Sequence, residues 1–175
     1  LIFQVGDNGR LYQRYLGKKL NHESDFVYLP QGTEVYITHG AEDYFEPAIQ
    51  VLHNDGNPSL LLKYVEHSSS RQNDGSVETV ITLKDDKYPV TVKLHYITYA
   101  AENIIKTFTE INHQEKKPIV LSKYASSMLH FNRDKYFLTE FSGDWAHEVN
   151  IAERELAFGK KTIDTKLGAR ANMFV

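Results

Sequence analysis

The sequence predicts an all-β fold, two large and mainly antiparallel sheets packed face to face with little helix. Three observations carry this. Apolar residues recur at period two rather than 3.6, the recurring positions are filled by Val, Ile, Thr, Tyr and Phe, and most links between such runs are short and rich in Gly, Asn and Asp. At 175 residues, with 41% hydrophobic and 25% charged, the chain has the profile of one domain with a proper core.

In "YPVTVKLHYITYA", Val90, Val92, Leu94 and Tyr96 share one face, and Thr91, Lys93 and His95 the other, which predicts a strand with a dry side and a wet side. "SVETVITLKD" alternates in the same way through Val77, Thr79, Ile81 and Leu83, and the turn residues of "DDK" predict that the two strands form a hairpin. Further strands are expected at about 11 to 16, 59 to 67, 103 to 112, 118 to 131 and 135 to 142, separated by "GDNG", "NDGNP", "QNDGS" and "HQEKKP". Residues 17 to 43 show no lasting alternation, so a long loop is expected there, of the kind that carries function or a domain contact. No internal repeat or low-complexity tract is visible.

Composition excludes several classes of function. Twenty basic against 23 acidic side chains give a net charge of −3, which provides no field for phosphate backbones, so nucleic acid is not an expected partner. No apolar run reaches the length of a membrane span and the first residues lack the features of a signal peptide, so a soluble chain is expected, without choosing between cytoplasm and periplasm or secretion. The absence of Cys excludes disulfides and thiolate sites. The start on "LIFQV", with no Met, suggests a piece of a longer chain.

The chemical motifs are mostly absent. There is no nucleophile elbow, phosphate loop or dinucleotide fingerprint, and the eight His residues never fall at zinc-ligand spacing, so neither metal nor cofactor is expected. Paired carboxylates of the kind that cleave glycosidic bonds could be sought in Asp85-Asp86 or Glu42-Asp43, but adjacent strand residues point to opposite faces. Asp85 and Asp86 read as a solvated hairpin turn. Asp43 closes the long loop and opens "DYFEPA", where Tyr44, Phe45 and Pro47 could hold its carboxylate near a boundary. Tyr96 and Tyr124 are candidate rings for a carbohydrate-binding face, yet their alternation with Val and Leu favours a core. The one tryptophan, Trp145, lies in "FSGDWAHE" near the end of the last strand-like stretch, either as a core residue or as a ring displayed at a boundary.

"EDYFEPAIQVLHNDGNPSLLLKYVEHSSS", "TLKDDKYPVTVKLHYITYAAENIIKTFTEINH" and "LTEFSGDWAHEVNIAERELAFGKKTIDTKLGA" resemble, in order and spacing, the N-terminal domain of family 36 glycoside hydrolases, the α-galactosidases. Asp43 to Ala48 stands where the family has Asp-Phe-Arg-x-Pro-Ala, and Gly143 to Glu148 where it has Gly-x-Trp-Ala-Arg-Glu. "LYQRYLGKKL" resembles the strand and turn that open the domain. Both motifs lose an Arg, to Phe45 and to His147, and neither replacement supplies its fixed charged fork. The ending "LGARANMFV" also departs from the family's pattern, which is compatible with a divergent branch and with α-N-acetylgalactosaminidase-like specificity.

The resemblance implies a β-supersandwich that precedes a (β/α)8 barrel and a small C-terminal β-domain. The barrel would hold two catalytic Asp residues beyond Val175, acting by retention. This domain would then contain no catalytic residue, buttress the barrel of the same chain, shape the pocket entrance for an α-galactoside oligosaccharide and aid homo-oligomer assembly. Asp43 and Tyr44 are the implied substrate contacts, and Trp145 and Glu148 the implied domain-interface residues. A stand-alone carbohydrate-binding module is the competing reading, and a purely structural sandwich a third.

Overall fold

The computed structural model describes residues 1–18, 20–22, 24–41, 45–132, 134–144 and 147–164, with the side chains of Asp144, His147 and Glu148 left outside that description. It is nearly all β. The chain divides into two compact units, residues 1–130 and residues 131 onward.

In the first unit, β5 (Leu62–Arg71), β6 (Val77–Asp85), β7 (Val90–Tyr99) and β8 (Ile104–His113) form an antiparallel sheet in sequence order. The alternation works as expected on the dry side of β7 and of the second half of β6, whereas Val77 at the start of β6 is exposed. Ile81, Leu83, Val90, Val92, Leu94 and Tyr96 enter one core, and the register Ile81↔Leu94 and Leu83↔Val92 sets them side by side. Val90 and Val92 are wholly buried, worth about 1.5–3 kcal/mol each for a side chain of that kind.

The opposing layer is split. β1 (Ile2–Val5), β2 (Leu11–Tyr15) and β3 (Thr33–Glu34) form one antiparallel sheet, and β4 (Ile49–Leu52) with β9 (Val120–Tyr124) a separate ribbon. These supply Leu11, Ile49 and Val51 to the same core, and the Phe3 ring lies 5.0 Å from that of Tyr96.

Among its described residues, the long loop expected at 17 to 43 is interrupted by short regular elements. It contains α1 (Ser24–Val27), β3 and a run from Glu34 to Thr38 in which every residue is buried. Val35 donates to Leu11 O, and Ala48 and His39 tie the run to β4, which also makes the parallel bridge Thr38↔Ile49. A segment enclosed on both sides has no wet face, so period two vanishes from its sequence.

The expected strand at 118 to 131 is only β9. It is exposed along most of its length, and Tyr124 is 66% exposed rather than in the core, because β4 is its only partner among the described residues. His95, expected on a wet face, is buried: its imidazole stacks on Phe108 at 4.2 Å and meets Glu78 Oε1 at 2.9 Å. The large neighbours on β6 and β8 cover a position that alternation alone assigns to solvent.

Three of the breaks are one turn used three times. In "GDNGR", "HNDGN" and "QNDGS" the first residue donates its N–H to the fifth residue's carbonyl, and the Gly at the fourth position donates to the first residue's carbonyl. The N–H of the fifth residue then binds the carboxamide or carboxylate of Asn8, Asp55 or Asp74 at 3.0 Å. Gly9, Gly56 and Gly75 have φ of 78°, 87° and 84°, the left-handed conformation that a type I turn with a G1 bulge requires.

Gly40 shares this φ at 87°, but a Cβ there would lie 2.9 Å from Ser59 Cα, whereas one on Gly56 meets nothing within 4 Å. Gly56→Ala is therefore expected to cost only the conformational strain of about 1–2 kcal/mol, and Gly40→Ala to lower the melting temperature further by the clash with backbone. Thermal melts of the two variants check this.

In the second unit, β10 (Phe137–Asp144) pairs antiparallel with β11 (His147–Glu155), from Phe137↔Glu155 to Asp144↔His147. β11 extends the hairpin beyond the stretch from 135 to 142 that the sequence reading took as the last strand. Phe141 and Ile151 face each other across it, and both are exposed.

Candidate functional site

Asp43 and Tyr44 lie outside the described residues, as does Trp145. Glu148 is placed only as a backbone position of β11. The described residues offer instead a polar cluster in the first unit, built where the β4–β5, β6–β7 and β8–β9 connections meet.

The "HNDGN" turn sets its parts. Its first residue, His53, carries an imidazole that is fully buried, with Nδ1 2.6 Å from Glu115 Oε1 and Nε2 3.0 Å from Ser59 O. Glu115, 62 residues away in the β8–β9 connection, receives on its other oxygen the backbone N–H of Asn54 at 3.1 Å and the Asn54 carboxamide. Burial works to raise the Glu115 pKa, but the donors from His53 and Asn54 outweigh it and hold the carboxyl below the ordinary glutamate range.

The Tyr88 ring lies flat on His53, with centroids 3.5 Å apart and planes 9° from parallel. Its hydroxyl donates to Asp55 Oδ2 at 3.0 Å and receives the Asn57 amide at 2.8 Å. Lost hydration and the bond to Asp55 raise the Tyr88 pKa. The Asn57 N–H, and after it Tyr88, lower that of Asp55.

Asp85 departs from its sequence reading as a solvated turn residue. It is buried, accepting the N–H groups of Lys87 at 2.6 Å and Tyr88 at 2.8 Å on one oxygen and of Leu61 at 2.6 Å on the other. The description as solvated fits Asp86 alone, which is exposed and pairs with Lys63 Nζ at 2.5 Å. Asp85 thus organises the turn that presents Tyr88. The signal for it was an Asp at a strand end, which closes Asx turns. The long-range partners of His53 leave no signal in one sequence.

A second lock fastens the opposing layer. Arg10 grips Glu34 bidentately, Nε to Oε1 at 3.1 Å and Nη2 to Oε2 at 2.6 Å, both side chains buried. Gln13 exchanges bonds with the backbone of His130, whose Nε2 donates to Glu34 O at 2.7 Å.

Chemically, these arrangements hold loops in place. Among the described residues no group of three or more His, Asp or Glu could hold a metal, and no helix is long and apolar enough to cross a membrane. Every carboxylate of the two locks is occupied by donors from the chain itself. The class that this fold and site define is an antiparallel β-sandwich domain with rigidly held connections.

The family model for the glycosyl hydrolase family 36 N-terminal domain matches residues 9–174, and the chain belongs to that family. It is similar to the α-galactosidase Mel36A of Lactobacillus acidophilus, with 19% identity over 98% of this chain and 28% of that protein. It superposes on a variant of the α-galactosidase AgaA of Geobacillus stearothermophilus solved with raffinose, at a TM-score of 0.79 and 21% identity over 90% of this chain and 27% of that one. The α-galactosidase of Lactobacillus brevis gives 0.76 and 20%, over 89% and 26%. The chain therefore spans about a quarter of the length of these relatives, and the structural likeness establishes the fold.

Proposed function

We propose that the chain is the non-catalytic N-terminal domain of a retaining, α-galactosidase-type glycoside hydrolase. In this reading residues 1–175 are one β-supersandwich domain that supports a catalytic barrel of the same chain, shapes the entrance to the substrate pocket and helps the enzyme assemble as an oligomer. The substrate is an α-galactoside oligosaccharide or glycan, and Asp43 and Tyr44 contact it. Trp145 and Glu148 serve the contact with the barrel. The observation that carries the reading is the family match over residues 9–174 in a chain about a quarter as long as its relatives.

The buried carboxylates of the two locks are engaged as acceptors of hydrogen bonds from the chain itself, which is a structural use. The expected result is that the purified chain releases no nitrophenol from 4-nitrophenyl α-galactoside, whereas the parent protein that carries it does. Cleavage by the chain alone, resistant to removal of contaminating enzyme, would overturn the assignment. A parent without a barrel would point to a carbohydrate-binding module instead, and turnover of an N-acetylgalactosaminide in preference to a galactoside to the sister specificity.

A further inference from the structure

Beside the Tyr88 lock lies a cleft of about 490 Å³, lined by the β4–β5 connection at Asn57 and Ser59, by Leu61 and Lys63, by the turn at Asp86 and Tyr88, and by the Gly40–Ala41 backbone. We propose that this cleft binds a neutral saccharide, taking a pyranose unit of the α-galactoside remote from the bond that is cleaved. The choice of galactoside rests on the functional reading above. The cleft itself rests on its own geometry.

Charge selects the ligand class. Of the charged groups at the cleft, Lys63 pairs with Asp86 at 2.5 Å, Arg10 is gripped by Glu34, Asp85 accepts three backbone N–H groups, and Lys87, exposed at the same turn, formally offsets Asp85. With Glu34 counted beside Arg10, the formal charges of the lining sum to zero, so the cleft has little net field to recruit an anion or a cation.

The remaining lining pairs apolar surface, on Tyr88 and on Leu61, which is 42% exposed, with the amide of Asn57 and the hydroxyl of Ser59. A pyranose has the matching chemistry, with C–H groups on one face and hydroxyls around its edge. The volume falls within the roughly 300–1,000 Å³ of small-molecule sites.

Preorganisation is the second support. The Tyr88 ring is fixed by the stack on His53 and by two bonds to its hydroxyl, so little side-chain freedom is left to lose when a ligand packs beside it. Gly40 lets its backbone come within van der Waals reach of Ser59 only because it has no Cβ, and from Ala41 the chain continues directly into residues 42–44. The cleft therefore borders, in the chain, the segment that the functional reading assigns to substrate.

The test is an amide-resolved NMR titration of the whole chain with raffinose and, separately, with maltotriose, each to about 50 mM, enough to detect a site with Kd on the order of 1–10 mM. Raffinose is expected to shift the amides of Leu61, Lys63 and Tyr88 saturably. Leu61→Lys, which changes an exposed side chain and leaves the locks intact, is expected to weaken binding by about fivefold or more with an unchanged melting temperature. Tyr88→Ala should abolish it, with folding checked by circular dichroism. No shift with either sugar, or shifts that survive Leu61→Lys undiminished, would overturn the site while leaving the enzyme assignment to its own hydrolysis test. Cleft shifts from maltotriose stronger than those from raffinose would keep the saccharide site and remove the galactoside.

Discussion

Glu115→Ala is expected to destabilise the chain by about 3 kcal/mol, as leaving buried hydrogen-bonding groups unsatisfied costs about 1–3 kcal/mol each, and to lower the melting temperature by about 6–12 °C, at roughly 2–4 °C per kcal/mol for a chain of this size. The substitution removes the partner of Nδ1 on a fully buried His53 and the acceptor of two Asn54 donors, and thereby loosens the base on which Tyr88 lies. Donors at Asn54 are reachable by water, which keeps the loss from growing larger.

The loss is also pH-dependent, with a defined sign. Because the folded-state pKa of Glu115 is lowered, its contribution is whole above the ordinary glutamate value of 4.5 and is lost as pH falls through the lower folded value. The melting temperatures of the chain and of Glu115→Gln should therefore converge in acid and stand furthest apart near neutrality. A difference that stays constant from pH 7 to well below that range would show that Glu115 is not the titrating partner.

Asp43→Ala in the parent enzyme is expected to lower kcat/KM for an oligosaccharide such as raffinose by about tenfold to a hundredfold, since each 1.4 kcal/mol is a factor of ten and a charged acceptor of sugar hydroxyls is worth roughly 1.5–3 kcal/mol. The melting temperature should hold, because a carboxylate serving a wet pocket adds little to stability. A carboxylate that only closes a turn predicts the reverse, a lower melting temperature with kinetics intact. Measuring both quantities on one variant separates the two, and unchanged kinetics would retire Asp43 as a substrate contact.

The site was much less legible than the fold. Asp43 stands out in the sequence by its place at the end of the long loop and Trp145 as the one tryptophan, but the roles of both, and the choice of Tyr44 and Glu148 with them, rest on resemblance to a family, since no spacing there demands a sugar. The polar locks escaped sequence reading for a different reason. His53 and Glu115 lie 62 positions apart and Arg10 and Glu34 lie 24 apart, and each of these residue types is more often solvated than buried.

The sequence by itself determined the all-β class, the β6–β7 hairpin, the period-two core face from Val90 to Tyr96 and the three Gly-terminated turns. These are local properties: a strand with one wet face must alternate, and a left-handed turn position selects Gly. Only the tertiary structure decided that Glu34 to Thr38 runs through the interior, that Asp85 is buried while Asp86 is not, and that Tyr124 is exposed while His95 is covered. Those outcomes depend on what packs against a residue from distant parts of the chain. Alternation reports two faces of a strand, but cannot say which faces a neighbouring element later covers.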